Sequence, residues 1–289
     1  MSGRRCQLAI VGWPVTGSLS PALWEGMGVR RGFEIEYGLY PVDPEDEGAW
    51  DALWASELDG FNVTAPWKER AAARCDHLSP AAARIGAVNT VLRRPAAWEG
   101  HTTDGYGFVR SLLEIDQPLR GRSMAVLGTG GAGRAVACAA ADVGANVTLV
   151  SRSPERSPAG CEELDRIGWG SLGDGGRFDL LVNATPLGGE GDPPPVPDPA
   201  WGPGTMAVDL HYRPPVTPFL RAAHAAGART LNGLGMLIHQ ACLAAALLFE
   251  GDPSAAESYE VDFGSAAREA AAREAAVGDS AVDGSAGRP

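Results

Sequence analysis

Polar side chains that could bind or protonate a small ligand surround a strand-like segment near residue 60. Asn62 and Thr64 lie within residues 60–64 (GFNVT), and Lys68 starts the helix-like run that follows. Ligands of α/β proteins bind where strands end and helices begin. An amide, a hydroxyl and an ammonium at such a junction can hold a hydroxylated ligand and supply a proton. Asp104 adds a carboxylate further along the chain, although each of these residues taken alone is more often structural than functional.

Two serines, Ser18 and Ser20, precede a proline just past the first strand-like segment. On an extended segment they point to the same face, where two hydroxyls can hold a carboxylate without burying a charge. The same pattern is also ordinary helix capping. Further polar residues at the ends of strand-like segments or within the last motif are Asn89, Asn183, Thr185, Asp209, Tyr212 and Gln240.

A glycine-rich turn follows the strand-like residues 123–127 and opens an alanine-rich helix. Its pattern is Gly-x-Gly-x-x-Gly, which permits a tight turn, a close approach of a pyrophosphate to the backbone and close packing of the helix on the strand. The helix N-terminus then offers free N–H groups to the phosphates. A loop that merely packs is the alternative, but the strand-turn-helix context favours a dinucleotide site. The residues assigned to this turn are Gly128, Gly130, Gly131, Ala132 and Gly133.

The strand after this helix ends in a polar and basic segment that contains Ser151, Arg152, Ser153 and Arg156. An NAD site would place an acid here to bind the ribose hydroxyls. An acid would repel a 2′-phosphate, whereas arginine pairs with it strongly. The segment therefore favours NADP(H) over NAD, and it also disfavours a methyltransferase, which usually has an acid here. The alternative is that one or both arginines are solvated surface residues.

The elements that must position these residues alternate between strand and helix. Such alternation predicts an α/β fold with parallel sheets. A second unit opens near Arg122, and the tail from about Pro253 has almost no apolar face, so we expect it to be poorly ordered. The predicted strands are residues 7–12, 36–42, 60–64, 85–92, 123–127, 146–150, 179–184, 205–210 and 228–231.

Composition excludes several classes of protein. The 289 residues suffice for two domains, and no apolar run reaches the roughly 18 residues of a membrane span. The net charge of -12 and the lack of a basic face argue against nucleic-acid binding. Five scattered cysteines and five histidines show no metal-ligand or disulfide spacing, so we expect no metal. We expect a cytoplasmic protein, because the N-terminus reads as a strand and not as a signal peptide.

Two motifs identify a resemblance. One is Asn-Val-Thr-x-Pro-x-Lys at residues 62–68, and the other is Gly-Leu-Gly-Met-Leu at residues 233–237. Together with the order of the other segments, they resemble the shikimate dehydrogenase family, which includes quinate and aminoshikimate dehydrogenases. The resemblance runs from about Leu8 to Glu250. It implies an α/β protein of two domains, an N-terminal substrate domain and a Rossmann-type NADP-binding domain, with a cleft between them. The expected division is residues 1–103 with 233–252 for the substrate domain, 104–232 for the NADP domain and 253–289 for the tail.

The resemblance also implies a role for individual residues. Lys68 matches the catalytic lysine of the family and Asp104 matches its partner aspartate. A lysine beside an aspartate can protonate a developing alkoxide while the carboxylate holds the ammonium in place. The matched substrate ligands are Ser18, Ser20, Asn62, Thr64, Asn89, Tyr212 and Gln240. The matched cofactor residues are Gly128–Gly133, Ser151, Arg152, Ser153, Arg156, Asn183, Ala184, Thr185 and Gly233.

The reaction that the resemblance implies is the NADPH-dependent, reversible reduction of 3-dehydroshikimate to shikimate, a step toward chorismate and the aromatic amino acids. Such an oxidoreductase needs a small-molecule substrate and NADP(H), and no nucleic acid or membrane. The family includes monomers and dimers. How far Lys68 transfers the proton, and how far it only stabilises charge, is left open by the sequence.

The chain departs from the family pattern at four positions. Gly17 and Trp24-Glu25 stand where histidine and His-Asn are usual, and Thr102 stands where asparagine is frequent. These changes are consistent with neutral drift, or with a paralogue acting on quinate, aminoquinate or aminoshikimate, in which Glu25 could receive a substrate amine. A third reading is a non-catalytic NADP-binding regulator, which the retained Lys68 and Asp104 disfavour.

Overall fold

The structure is a computed structural model of the chain that describes residues 5–173, 178–187, 196 and 201–283, with side chains described as far as residue 273. The described residues fall into two compact units. Of these residues, the first unit contains 5–67, 90–99 and 241–283, and the second contains 68–89 and the described part of 100–240.

The elements alternate between strand and helix along most of the chain. The strands are β1 (Arg5–Gly12), β2 (Glu34–Pro41), β3 (Gly60–Val63), β4 (His77–Leu78), β5 (Thr90–Arg94), β6 (Ala97–His101), β7 (Ser123–Leu127), β8 (Asn146–Ser151), β9 (Asp165–Gly168), β10 (Leu180–Asn183), β11 (Met206–Asp209) and β12 (Arg229–Leu231). The α-helices are α1 (Ser20–Arg31), α2 (Glu47–Trp54), α3 (Lys68–Arg74), α4 (Pro80–Ile85), α5 (Asp104–Leu113), α6 (Gly131–Asp142), α7 (Pro218–Ala225), α8 (Leu234–Ala245) and α9 (Glu260–Asp283). Short 3-10 or π turns span Trp169–Ser171, Ala246–Glu250 and Pro253–Tyr259.

The first sheet has the strand order β2-β1-β3-β5-β6-β4. Strand β1 pairs in parallel with β2 and β3, whereas β3 and β5 are antiparallel, so this sheet is mixed and not wholly parallel as the alternation predicted. A Cβ on Gly12 would lie 2.2 Å from Cγ2 of Thr64. Glycine at the end of β1 therefore allows the segment after β3 to approach it closely.

The predicted strand at residues 85–92 divides into the end of a helix and the start of β5. Ser79 caps α4 by accepting a hydrogen bond from the N–H of Ala82, and Pro80 starts the helix. Gly86 ends it with a φ of 62°, a left-handed conformation that glycine adopts without steric cost. The predicted strand around a turn is therefore confirmed for residues 90–92, whereas Ile85 and Gly86 end a helix that Ser79 and Pro80 begin.

The second sheet is wholly parallel and has the order β12-β11-β10-β7-β8-β9. Counted from β7, this order is 3-2-1-4-5-6, that of a doubly wound dinucleotide-binding sheet. Apolar side chains of its strands face two layers of core, one shared with α6 and the other with α7. The predicted α/β class with a Rossmann-type sheet is confirmed.

The C-terminal segment differs from the expected loosely ordered tail, because residues 253–273 form helical turns that pack in the first unit. Tyr259 and Phe263 are fully buried, and the guanidinium of Arg31 lies 2.7 Å from the carboxylate of Asp262. Helix α9 contacts α1 through small residues as well, since a Cβ on Gly26 would lie 2.7 Å from that of Ala266. The alanines thus form part of the buried face.

Within the described part of the chain, no single helix has the length and apolar character needed to cross a membrane. The required length and apolar composition are reached only by two helical segments taken together, Leu234–Glu250 and Pro253–Arg273, and the chain bends by 119° between them.

Candidate active site

A lysine and an aspartate form a close ion pair in the second unit. Lys68, the first residue of α3, places Nζ 2.5 Å from Oδ2 of Asp104, the first residue of α5. The side chains are 15% and 9% exposed. An ion pair that is mostly shielded from water interacts more strongly than one on the surface. The arrangement can present an ammonium proton to a ligand oxygen while the carboxylate holds the ammonium.

The buried amide of Asn89 joins this ion pair to the start of α5 and to α8. Its Nδ2, with two protons, has three acceptors within hydrogen-bond distance: Oδ1 of Asp104 at 2.9 Å, Oγ1 of Thr103 at 2.8 Å and Oε1 of Gln240 at 3.1 Å. Its Oδ1 accepts the N–H of Thr103 at 2.7 Å. The predicted residues Lys68, Asn89, Asp104 and Gln240 therefore lie in one hydrogen-bonded cluster, with Thr103 as a member that was not assigned a role from the sequence.

Two glycines of the predicted dinucleotide turn, Gly128 and Gly133, are required by its geometry. Gly128 has a φ of 101°, and a Cβ on Gly133 would lie 2.3 Å from the carbonyl oxygen of Gly128. Gly131 begins α6, and the capping residue Gly130 makes no side-chain hydrogen bond to it. No N-cap side chain therefore occupies the first N–H groups of the helix, which are the groups that a phosphate site uses.

The same turn lies against the candidate catalytic lysine. A Cβ on Gly131 would lie 3.2 Å from both Cβ and Cδ of Lys68. Arg134 of α6 joins the two segments, because its guanidinium donates to the carbonyl of Thr129 at 3.0 Å and lies 2.8 Å from the carboxylate of Glu69. Arg134 was not singled out from the sequence, although it directly follows the glycine motif.

The segment after β8 carries the predicted 2′-phosphate residues. The hydroxyl of Ser151 accepts the N–H of Ser153 at 3.2 Å, and the N–H of Arg156 donates to the carbonyl of Ser153 at 3.1 Å. This turn leaves Arg152 and Arg156 exposed. Together with the glycine turn, which offers helix N–H groups and close backbone access, these residues fit a nicotinamide dinucleotide that carries a 2′-phosphate.

Three more segments end strands of the second sheet. Asn183 is buried, with Oδ1 accepting the hydroxyl and the N–H of Thr185 and Nδ2 donating to Oδ1 of Asp209 at 3.2 Å. Ala184 lies beside the turn, since its Cβ is 3.5 Å from a Cβ on Gly133. The N–H of Gly233 donates to the carbonyl of His211, and a Cβ on Gly233 would lie 2.1 Å from the carbonyl oxygen of Leu210. Tyr212 is half-buried.

Asp209, the last residue of β11, pairs with His211, a histidine that was not assigned a role from the sequence. Nδ1 of His211 lies 2.9 Å from Oδ1 of Asp209. The Asp209 side chain is fully buried, and its Oδ2 accepts the hydroxyl of Thr217. The hydrogen bond to Asp209, together with the charge of its carboxylate, raises the pKa of His211 above its ordinary value, although burial acts in the opposite direction. The pair fixes the segment whose backbone holds Gly233.

The predicted carboxylate ligands and Asn62 lie in the first unit. The hydroxyl of Ser18 donates to that of Ser20 at 3.1 Å and accepts its N–H at 3.2 Å. Leu19 occupies the N-cap position of α1, so this helix has no side-chain capping bond. Asn62 is buried within the sheet, while Thr64 is half-buried just after β3.

The departures from the family pattern occupy different environments. Trp24 is buried in the first unit, where its ring stacks on Tyr37 with centroids 5.8 Å apart and meets the ring of Phe263 edge-on. Glu25 and Gly17 are exposed, and Thr102 is half-buried. Trp24 is therefore a packing residue.

The five cysteines all lie in the described part of the chain. None of the five cysteines forms a disulfide, and Sγ of Cys138 lies 3.3 Å from Sγ of Cys161 inside the second unit. Burial raises the pKa of the Cys75 thiol to about 12. Among residues 5–173, 178–187, 196 and 201–283, no group of three or more histidine, cysteine or carboxylate side chains could hold a metal.

The chain matches known proteins over most of its length. Residues 10–91 match a family model described as the shikimate dehydrogenase substrate binding domain. Shikimate dehydrogenase (NADP(+)) of Xylella fastidiosa (strain M12) is 41% identical over 249 residues, which are 81% of this chain and 88% of that protein. Shikimate dehydrogenase (NADP(+)) of Aeropyrum pernix is 39% identical over 268 residues, covering 89% of this chain and 97% of that protein.

A solved structure is similar as well. Shikimate 5-dehydrogenase of Thermus thermophilus, in complex with NADP(H) and shikimate, superimposes with a TM-score of 0.75 at 38% sequence identity. The match covers 89% of this chain and 99% of that one. The resemblance drawn from the motifs is thereby confirmed at the level of the family.

Proposed function

The chain belongs to the shikimate dehydrogenase family, and we propose that it is an NADP-dependent oxidoreductase that reversibly reduces 3-dehydroshikimate to shikimate. The observation that carries this proposal is the pairing of Lys68 with Asp104 at 2.5 Å, next to the turn that begins at Gly128. A ketone reductase needs such a proton-donating pair, whereas a non-catalytic cofactor sensor does not need one.

We propose the following roles for the charged pair. When bound, NADPH supplies a hydride to the carbonyl carbon of the substrate. Nζ of Lys68 donates a hydrogen bond, and then its proton, to the carbonyl oxygen as negative charge develops there. Oδ2 of Asp104 holds the ammonium, and the bond from Asn89 to Oδ1 keeps the carboxylate plane fixed. In the reverse direction the lysine accepts the proton of the hydroxyl group.

The remaining predicted residues are proposed to bind ligands. Ser18 and Ser20 would hold the substrate carboxylate, aided by Tyr212, and other polar side chains would bind the ring hydroxyls. The proposed hydroxyl ligands are Asn62, Thr64, Asn89 and Gln240. The proposed NADP ligands are Gly128, Gly130, Gly131, Ala132, Gly133, Ser151, Arg152, Ser153, Arg156, Asn183, Ala184, Thr185 and Gly233.

We also propose the domain roles that the resemblance implies, with residues 1–103 and 233–252 as the substrate domain and 104–232 as the NADP domain. Residues 68–89, 100–103 and 233–240, which this division gives to the substrate domain, lie in the second compact unit. There Asn89 bonds to Thr103, Asp104 and Gln240. The monomeric or dimeric state and the cytoplasmic location stay predictions of the sequence.

The test is an assay of the purified chain that follows NADPH absorbance. Shikimate, quinate and an aminoshikimate analogue are each offered with NADP⁺ and with NAD⁺. We expect shikimate with NADP⁺ to give the highest kcat/KM. A preference for quinate or for the amino compound would assign the enzyme to a side branch of the family. Tight NADPH binding without turnover of any of these acids would contradict the proposal and favour a regulator.

A further inference from the structure

The amide of Asn62 is held by a tyrosine from another strand. The hydroxyl of Tyr37 donates to Oδ1 of Asn62 at 2.7 Å, and Nδ2 of Asn62 donates to Oγ1 of Thr90 at 3.1 Å. All three residues are buried, with 6%, 8% and 2% of their surface exposed. A bond on each end of an amide fixes its plane, and in a buried site such bonds are not replaced by water.

The strand register explains how Tyr37 reaches this amide. Tyr37 on β2 and Gly60 on β3 both pair with Leu8 of β1, so that Asn62 lies two residues further along β3 and on the same face. Two strand spacings amount to about 10 Å. The tyrosine and asparagine side chains together can span that gap across the intervening strand.

Trp24 in turn supports the tyrosine. Its ring stacks on that of Tyr37 at an interplanar angle of 22°, and Phe263 of α9 packs against the tryptophan ring at 82°. Stacked and edge-on aromatic pairs hold their rings in defined orientations. The aromatic group Phe263-Trp24-Tyr37 thus connects the C-terminal helix, through the tyrosine hydroxyl, to a proposed substrate ligand.

We propose that Tyr37 is a positioning residue for substrate binding, and that it acts by fixing the amide of Asn62 toward a hydroxylated ring acid. This inference rests on the proposed function, because it takes Asn62 as a substrate ligand. It also gives Trp24, which departs from the family pattern, the role of supporting that ligand from the core.

The experiment compares full-length wild type, Tyr37→Phe, Asn62→Ala and the double variant, using the acid that the wild type oxidises best among shikimate, quinate and the amino analogue. Tyr37→Phe retains the ring and removes only the hydroxyl. We expect it to raise the KM for the acid about five- to tenfold, with kcat changed less than twofold and the Kd for NADPH unchanged, as befits loss of one hydrogen bond that orients a ligand. The double variant should bind the acid no more weakly than Asn62→Ala, because Tyr37 acts through Asn62.

Tyr40→Phe is the matched control, since Tyr40 lies on the same strand and is 40% exposed, and we expect wild-type kinetics. An unchanged KM in Tyr37→Phe, or effects of Tyr37→Phe and Asn62→Ala that simply add, would overturn the positioning role alone. Equal losses of acid and NADPH binding would indicate a general structural role and also overturn it. A wild type that oxidises none of the acids would overturn the proposed function, and the positioning role with it.

Discussion

Gly131 and Lys68 lie so close that a Cβ on the glycine would come within 3.2 Å of the lysine side chain. The turn that fits a dinucleotide and the lysine that fits a proton donor are therefore packed against each other in one unit. Arg134 strengthens this arrangement by bonding to Thr129 of the turn and to Glu69 beside the lysine. Cofactor binding and proton delivery are expected to depend on the same few side chains.

The first prediction tests the turn as a cofactor site. Gly130 has an ordinary extended conformation, and nothing in the described part of the protein lies within 4 Å of a Cβ built on it. Gly130→Ala should therefore leave the Tm nearly unchanged. The added methyl group should obstruct the approach of a pyrophosphate, so we expect the Kd for NADPH, measured by fluorescence titration, to rise by roughly tenfold or more.

Gly170→Ala is the control for this change, because Gly170 also has open space around its Cβ position. It should retain both the Tm and the NADPH affinity of the wild type. If Gly130→Ala binds NADPH as tightly as Gly170→Ala does, the turn does not cradle the cofactor.

The second prediction concerns the ion pair. Lys68→Ala should lower kcat by about 10²–10⁴-fold, the range of general acid–base contributions, with the KM for shikimate little changed. The paired Asp104→Asn variant should also lower kcat, because Lys68 then lacks the carboxylate that holds its ammonium. Arg74→Ala, an exposed change on the same helix, serves as the control. Turnover by Lys68→Ala at the wild-type rate would remove the lysine from the mechanism.

Much of the site could be predicted because its residues lie in local motifs. The glycine turn follows a buried strand, and its spacing alone indicates the tight geometry that Gly128 and Gly133 adopt. Lys68 and Asp104 were paired by resemblance, and the fold brings them together at the starts of two helices. By contrast, the acceptors of the Asn89 amide come from two distant segments, Thr103-Asp104 and Gln240, so no local pattern could reveal them.

Tertiary packing explains most of what the sequence did not indicate. The short strands β4, β6 and β9 have weak hydrophobic patterns, and β5 pairs antiparallel to β3. The conformation of these segments is determined by the strands beside them. Helix α9 is the clearest example, because its alanine-rich sequence shows no apolar face of large side chains. Its small residues pack closely against α1, where Gly26 leaves room for Ala266. Trp24 could be recognised as a departure from the pattern, but its stacking on Tyr37 could not.

The third prediction tests whether α9 is part of the core. Phe263 is fully buried against Trp24, and replacing such a phenylalanine by alanine costs about 3–5 kcal/mol. Phe263→Ala should therefore lower the midpoint of urea unfolding clearly, as followed by tryptophan fluorescence. Val261→Ala, on the same helix but 76% exposed, should shift the midpoint hardly at all. Similar midpoints for the two variants would mean that the helix does not pack as described.

The fourth prediction concerns cofactor preference. Replacing exposed Arg152 and Arg156 by serine removes the groups proposed to pair with the 2′-phosphate. We expect the KM for NADP⁺ to rise by about 10–100-fold while that for NAD⁺ stays the same, because only NADP⁺ carries the phosphate. Arg229→Ser, an exposed change on β12, is the control for general loss of positive charge. Equal changes for both cofactors would contradict the assignment.

The fifth prediction is a pH dependence of stability that arises from His211. The bond to Asp209 raises the pKa of this histidine in the folded protein above its value in the unfolded chain. Its contribution to stability is therefore fully present below the unfolded pKa of about 6.5 and is lost as the pH rises through the folded pKa. The Tm difference between wild type and His211→Asn should be largest in mildly acidic buffer and should shrink in alkaline buffer.

Comparing the variant with the wild type at each pH cancels the contributions of titrating groups that do not interact with His211. His224→Asn, at an exposed position on α7, should show a small Tm difference that does not vary with pH. A His211→Asn difference that is constant with pH would show that the imidazole is not stabilised by its charge. A difference that grows toward alkaline pH would show the opposite sign of coupling, with the neutral imidazole preferred beside Asp209.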